Sequence, residues 1–105
     1  MIVVRVLRFK LKGMKKNFIK ELAGVIVQID DLKLAEDFLS AVLTPAELEE
    51  VARRLQIFKL LKQGMPQHQV SEKLKVGIET VSRGSRELKY GKPRFHAWWQ
   101  PLSRG

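Results

Sequence analysis

The sequence contains no cysteine and only two histidines, and this scarcity excludes several kinds of site. A chain without cysteine has no disulfide, no thiolate zinc site and no thiol nucleophile. The two histidines, His68 and His96, are too few and too far apart for most metal cages. We therefore expect no metal site.

Long apolar segments are also lacking. No stretch of about 18 apolar residues is present, so we expect no helix that spans a membrane. The opening segment Met1–Lys12 alternates apolar and basic residues, and it lacks the uncharged core and small-residue cleavage site of a signal peptide. These features predict a cytoplasmic protein.

The parts of an active site are missing as well. No histidine and carboxylate recur at a useful spacing, and no glycine-rich loop could surround a phosphate. Ser82 and Ser85 have no base nearby in the sequence that could activate them. We expect a protein that is not an enzyme.

Positive charge is abundant and unevenly distributed. The 105 residues carry a formal charge of +9, which favours a polyanionic partner, either nucleic acid or an anionic membrane. Residues 1–20 hold seven Lys/Arg and no acid, whereas residues 21–44 hold five acids and one Lys. We expect residues 1–13 to form a basic, apolar extension and residues 14–105 to form one domain. The extension could also touch DNA or an anionic surface.

From Lys15 onward the apolar spacing is helical. Phe18, Leu22, Val25 and Ile29 recur every three or four residues, which predicts a first helix. Asp30 and Asp31 end it and can cap a second helix over about 32–43.

A third helix is predicted to begin at Thr44 and to end at Gly64. In Thr44-Pro45-Ala46-Glu47, threonine fits the N-cap, proline the first helical position, and Glu47 completes a capping box. Its apolar residues lie on more than one face. The helix therefore runs through the middle of the fold, or a second subunit covers its other side.

Residues 67–83 have the spacing of a DNA-binding helix-turn-helix. Ser71 supplies the small residue where the two helices cross, and four apolar residues hold the second helix against the first: Val70, Leu74, Val76 and Val81. Lys75 occupies a turn position where glycine is common, at a cost of roughly 1 kcal/mol. A final short helix containing Trp98 and Trp99 should end at Pro101, with both tryptophans buried in the core or at a dimer interface.

The segment Val81–Lys89, with its Arg83-Gly84-Ser85 element, resembles the tryptophan repressor family. Leu43-Thr44-Pro45, Arg54 and the break at Gly64 add to the resemblance, which covers about residues 15–100. It implies an all-α fold of six helices, an intertwined homodimer, and binding to operator DNA with two-fold symmetry.

The second helix of the motif supplies the residues expected at DNA. Its N-terminal side chains can face base edges, and these are Ile78, Glu79, Thr80 and Ser82. Gly77 should leave the amides of residues 78, 79 and 80 free for a phosphate. The remaining candidates suit phosphates, although Lys73 and Lys89 could equally be solvated: Gln67, His68, Lys73, Arg86 and Lys89.

The resemblance also implies a ligand site. In the family two arginines flank an indole, and the resemblance implies that Arg54 and Arg83, beside Gly84, have this role. It also implies that Thr44 contacts the ligand, although a capping role explains Thr44 equally well. Glu87 stands where the family has a small hydroxyl residue, so it could crowd the site, repel a carboxylate or reach an ammonium group.

These observations predict a homodimeric transcriptional regulator, a repressor, that needs no cofactor and could take L-tryptophan or a similar corepressor. One alternative is a ligand-independent DNA-binding protein of the same fold, in which Arg83 contacts phosphate. The other is a basic adaptor that binds an anionic surface through residues 1–20.

Overall fold

The computed structural model describes residues 17–101, and within that range the chain forms six helices and no strand. The predicted all-α, six-helix class is confirmed. The chain divides after Val42 into two compact units. The extension expected at residues 1–13 lies outside the described residues, and the single domain expected over 14–105 stays a prediction. Among the described helices, none has both the length and the apolar character needed to cross a membrane.

The first unit contains two helices with little buried surface. Helix α1 covers residues 17–28 and α2 covers Leu32–Val42. Asp31 caps α2 as predicted, because its carboxylate accepts the backbone N–H of Leu34 at 2.9 Å. No residue of 17–42 is fully buried, and the apolar residues whose spacing predicted α1 are largely exposed on it, with Phe18 at 58% and Val25 at 40%.

The second unit begins with the long helix α3, Pro45–Lys62. Its capping box forms as predicted: the Thr44 hydroxyl accepts the Glu47 N–H at 3.2 Å, and Glu47 Oε1 accepts the Thr44 N–H at 2.8 Å. Gly64, with a φ of +94°, follows the end of the helix. Only Ile57 and Leu60 of α3 are fully buried, whereas Val51 and Leu55 remain 45% and 43% exposed.

The core of the second unit lies where α3 meets the next two helices. Helix α4 covers Gln67–Leu74 and α5 covers Ile78–Tyr90. The buried apolar side chains are Ile57, Leu60, Val70 and Val81, and Val70 and Val81 are two of the four residues predicted to hold the motif together. The other two, Leu74 and Val76, are partly buried against this core.

The last helix, α6, covers Pro93–Trp98 and ends before Pro101. Trp99 is half-buried, stacks on Phe95 with ring centroids 5.9 Å apart, and lies 5.5 Å below the Lys62 ammonium. Trp98 is 75% exposed, so it is not part of the core of this chain.

Candidate functional site

Three residues, 75–77, join α4 to α5, and Ser71 fixes this turn. The Ser71 hydroxyl donates to the Val76 carbonyl at 2.6 Å, and the Val76 N–H donates to the Ser71 carbonyl at 3.1 Å. Lys75 adopts the left-handed conformation at φ 55°, ψ 48° that the motif requires. Ser71 therefore does more than leave space for the crossing, because its side chain holds the turn closed.

One side of α5 is buried and the other is exposed. Val81 and Gly84 pack inward against α3 and α4. Five of the residues predicted to face DNA are exposed on this helix, namely Ile78, Glu79, Thr80, Arg86 and Lys89. Arg83, which was predicted to contact a ligand, is exposed as well. The helix can therefore enter a groove with its N-terminal side chains leading.

The remaining predicted DNA contacts lie on α4 and at the start of α5. His68, Lys73 and Gly77 are exposed, whereas Gln67 and Ser82 are half-buried. The Ser82 hydroxyl donates to Gln67 Oε1 at 2.9 Å, which joins a residue predicted to read bases to one predicted to hold phosphate. This bond orients both side chains and links the start of α4 to the second turn of α5.

The start of α5 differs in one detail from the prediction. The N–H of Thr80 donates to the Gly77 carbonyl at 3.1 Å, so it is not free for a phosphate. The first turn is tighter than expected because an i to i+3 bond closes it. For residues 78 and 79, no described group accepts the backbone N–H.

A groove of about 670 Å³ lies between α3, the 75–77 turn and α5. It brings together four of the five predicted ligand residues, namely Arg54, Arg83, Gly84 and Glu87. Thr44 is not in its lining. The hydrogen bonds between Thr44 and Glu47 lower the pKa of the Glu47 carboxyl below its usual 4.5, as expected for a capping box.

The two arginines that were predicted to bind a ligand differ in their surroundings. Arg54 Nη2 lies 3.0 Å from Glu50 Oε1, one helical turn earlier on α3. The Arg83 side chain forms no hydrogen bond or ion pair with any described residue. Arg83 is therefore the arginine that can receive an anion without first leaving a partner.

Gly84 allows α5 to approach α3 closely. A Cβ at this position would lie 2.7 Å from Ile57 Cγ2, which is shorter than real contacts of this kind. The glycine of the Arg-Gly-Ser element therefore lets α5 lie close to Ile57 and Phe58, and both of these residues line the groove together with Arg83.

Glu87 is held at the end of the groove by its own chain. Its Oε2 accepts the backbone N–H of Lys92 at 3.2 Å and lies 3.2 Å from His96 Nε2. Gly91 makes this possible, because any Cβ there would overlap the Glu87 carboxylate. The hydrogen bond with His96, followed by that with Lys92, lowers the pKa of Glu87 below its usual 4.5 and keeps it ionised.

These contacts attach α6 to the rest of the second unit. Glu87 places negative charge at the start of α6, and Lys62 donates to the carbonyls of His96 and Trp99 at its end, so both charges complement the helix dipole. The His96 ring also meets the Phe58 ring edge-on at 5.8 Å. His96 therefore lies directly behind two residues of the groove wall, and its Nδ1 is buried without a partner.

Several groove residues were not predicted from the sequence. Glu49, Glu50 and Arg53 line it from α3, and Lys75 lines it from the turn. The α3 residues share one stripe with Arg54 and Ile57 at spacings of three and four, a signal that was available in the sequence. Lys75 was noted only as an unusual turn residue.

Comparison with known proteins identifies the family. A family model described as Trp repressor protein matches residues 17–103. The chain belongs to the Trp repressor family. The resemblance seen in the sequence is therefore confirmed, and with it the helix-turn-helix formed by α4 and α5.

Curated relatives are similar over part of the chain. The Trp operon repressor homolog of Actinobacillus succinogenes is 41% identical over 64 residues, which are 60% of this chain and 63% of the relative. The homologs of Pasteurella multocida and Aliivibrio fischeri are each 38% identical and are likewise covered over 63% of their length. This chain thus spans less than two thirds of the relatives it matches. No solved structure shows significant similarity to it.

Proposed function

We propose that this Trp repressor family member is a DNA-binding transcriptional regulator that reads operator DNA with α5. The observation that carries the proposal is the division of α5 into a buried side at Val81 and Gly84 and an exposed, polar N-terminal side. Ile78 and Thr80 are available to base edges, while Arg86 and Lys89 are available to phosphates. A repressor acts where the chromosome lies, so a cytoplasmic location and a non-enzymatic role are parts of this proposal.

A homodimer is the second part of the proposal. Residues 17–42 contain no fully buried side chain, and their exposed apolar residues include Leu22, Val25 and Val27. Val51 and Leu55 expose a second apolar face on α3. A second copy of the chain would remove these surfaces from water and would give the two reading helices the two-fold symmetry of an operator.

A small-molecule corepressor is the third part. The groove is lined by Arg54 and Arg83 and by the apolar residues Ile57, Phe58 and Val76, a combination that suits an aromatic amino acid such as L-tryptophan. The groove also includes Gly77 and Thr80 at the start of α5, so a ligand there could change the position of the reading helix. The alternative is a ligand-independent regulator. In that case the unpaired side chain of Arg83 would contact a DNA phosphate instead of a ligand.

Fluorescence anisotropy with labelled DNA tests these proposals. Duplexes selected from a randomised pool should contain two half-sites about one DNA turn apart, and they should bind more tightly than scrambled duplexes. L-Tryptophan should increase the affinity for the selected duplex. An unchanged affinity would remove the corepressor and leave the ligand-independent regulator.

Two variants separate the recognition of DNA sequence from non-specific binding to DNA. Thr80→Ala should lower the preference for selected over scrambled DNA, by about 1–3 kcal/mol if the hydroxyl contacts a base. Deleting residues 1–13 should leave that preference intact. Loss of all DNA binding on this deletion would instead support the adaptor that acts through the basic N-terminal residues.

A further inference from the structure

Glu79 is an exposed acidic residue in the first turn of α5, the part of the helix that enters DNA first. Its carboxylate forms no hydrogen bond or ion pair with any described residue, and it does not line the groove between α3 and α5. Other carboxylates of the same unit are engaged, since Glu47 caps α3 and Glu87 holds α6. The Glu79 carboxylate is therefore available to a partner outside the chain.

The contacts of α5 place Glu79 on the outer side of the helix. Val81 is buried in the core, Thr80 lines the groove next to α3, and Ser82 bonds to α4. Because successive helical residues are about 100° apart, residue 79 lies roughly opposite Val81. Arg86 lies on the same outer side, two helical turns and about 10 Å farther along the axis.

This arrangement fits a helix whose first turn meets the base edges of a major groove about 12 Å wide. With Glu79 at the base edges, Arg86 lies towards the phosphate backbone, where its charge is favourable. A carboxylate placed at the phosphates would instead be repelled. The same repulsion makes a phosphate on the backbone amides of residues 78 and 79 less favourable than the amides alone would suggest.

The chemistry of base edges selects the partner of a carboxylate. An ionised carboxylate accepts hydrogen bonds and donates none, so it needs a donor. In the major groove guanine and thymine present acceptors, and adenine presents its N6 donor beside the N7 acceptor. Cytosine presents the N4 donor without an acceptor beside it on the same base. Cytosine N4 is therefore the base-edge group that best suits Glu79.

We propose that Glu79 determines specificity by accepting a hydrogen bond from cytosine N4 at one position of each half-site. This inference rests on the proposed recognition of operator DNA by α5 and adds a base preference to it. The same carboxylate repels phosphates wherever no cytosine is in reach. It therefore favours one sequence and also disfavours binding to all others.

Anisotropy titrations of the whole chain with the selected duplexes test the proposal. These duplexes should share a C·G pair at one position of each half-site. Replacing that pair by T·A should weaken binding of the unmodified chain by about tenfold and should have little effect on Glu79→Ala. Glu79→Ala should also bind scrambled duplexes more tightly than the unmodified chain does, because a charge that repels phosphate has been removed.

Glu79→Gln provides a result that misfolding cannot produce. A side-chain amide pairs with adenine through N6 and N7, so this variant should prefer A·T at the position where the unmodified chain prefers C·G. Glu72→Ala is the matched control, because Glu72 is an exposed acid on α4 that likewise bonds to no described side chain. It should retain the preference for C·G.

Two results would overturn the proposal and leave the regulator intact. One is a preference for selected over scrambled duplexes that is the same in Glu79→Ala as in the unmodified chain. The other is an equal loss of the C·G preference in Glu72→Ala. If the unmodified chain binds selected and scrambled duplexes equally, recognition of operator DNA by α5 fails, and the cytosine assignment fails with it.

Discussion

Arg86 is an exposed residue of α5 whose side chain has no partner among the described residues. If it contacts phosphate, Arg86→Ala should weaken binding to selected and scrambled duplexes alike. The slope of log affinity against log salt should become shallower by about one unit, because one fewer counterion is released. Anisotropy titrations over a range of salt concentrations measure both effects.

Lys33→Ala provides the comparison for Arg86. Lys33 lies on α2 and pairs with Asp37 at 3.2 Å, and it is not part of the helix-turn-helix. Its replacement should leave the salt slope unchanged. A slope that is equally unchanged in Arg86→Ala would contradict the phosphate role of Arg86.

Gly84 offers a second prediction for a single residue. Gly84→Ala should lower the free energy of unfolding by about 1–3 kcal/mol, because the added Cβ would be forced against Ile57 Cγ2. Urea unfolding measures the change. Gly24→Ala is the control: Gly24 lies in α1 with nothing within 4 Å of the added Cβ, so helix propensity should make this variant neutral or up to about 1 kcal/mol more stable.

Helix α6 should be attached to α5 in a pH-dependent way through Glu87. Because hydrogen bonding with His96 lowers the pKa of this carboxyl, the folded state favours its ionised form. The stabilisation is complete above the usual value of 4.5 and is lost as the pH falls through the lower folded pKa. Glu87→Gln should therefore lose less stability than the unmodified chain between neutral pH and about pH 3.

Urea unfolding at the two pH values provides the measurement for Glu87. Glu36→Gln is its control, since Glu36 is exposed on α2 and hydrogen-bonds to no described residue. This control should keep the full pH dependence. Identical pH dependence in Glu87→Gln and the unmodified chain would show that the contact with His96 does not hold in solution.

The helices themselves could be predicted well because their end signals are local. Thr44 with Glu47, Asp31 with Leu34, and Gly64 each act within a few residues of chain, so a sequence pattern contains the whole interaction. The attachment of α6 could not be predicted in this way. It depends on Glu87 meeting His96 nine residues later and on the absence of a Cβ at Gly91.

At the scale of the whole molecule, the exposed apolar residues of α1 predict association. The unmodified chain of 12.1 kDa should sediment with about twice that mass, and its thermal midpoint should rise with concentration. Leu22→Glu places a charge on this face and should shift the protein towards monomer with loss of stability. Analytical ultracentrifugation measures the mass.

Glu21→Gln is a suitable control for Leu22→Glu, because it changes charge at a neighbouring exposed position outside the apolar stripe. It should remain in the same oligomeric state as the unmodified chain. If the unmodified chain sediments as a stable monomer at all concentrations, the homodimer proposal is contradicted.

The candidate site was predicted in part, and the reason lies in how it is assembled. The exposed residues of α5 follow from helical periodicity, and the resemblance to the family located Arg54 and Arg83. Lys75 and Arg53 were missed because a groove wall forms only when α3, the turn and α5 come together. The spacing of residues within one helix does not predict which residues of other elements, about 20 positions away in the chain, will lie beside it.

The space above Gly91 is shared between two positions of the chain. Because the carboxylate of Glu87 occupies the volume that a Cβ would need, glutamate at 87 requires glycine at 91. A shorter side chain at 87 would remove only part of the penalty for alanine at 91, because the same Cβ would also lie too close to the backbone carbonyl oxygen of residue 87. Mutational scanning of the two sites together would therefore show partial coupling, with the side-chain overlap relieved by a short residue 87 and the overlap with the backbone remaining.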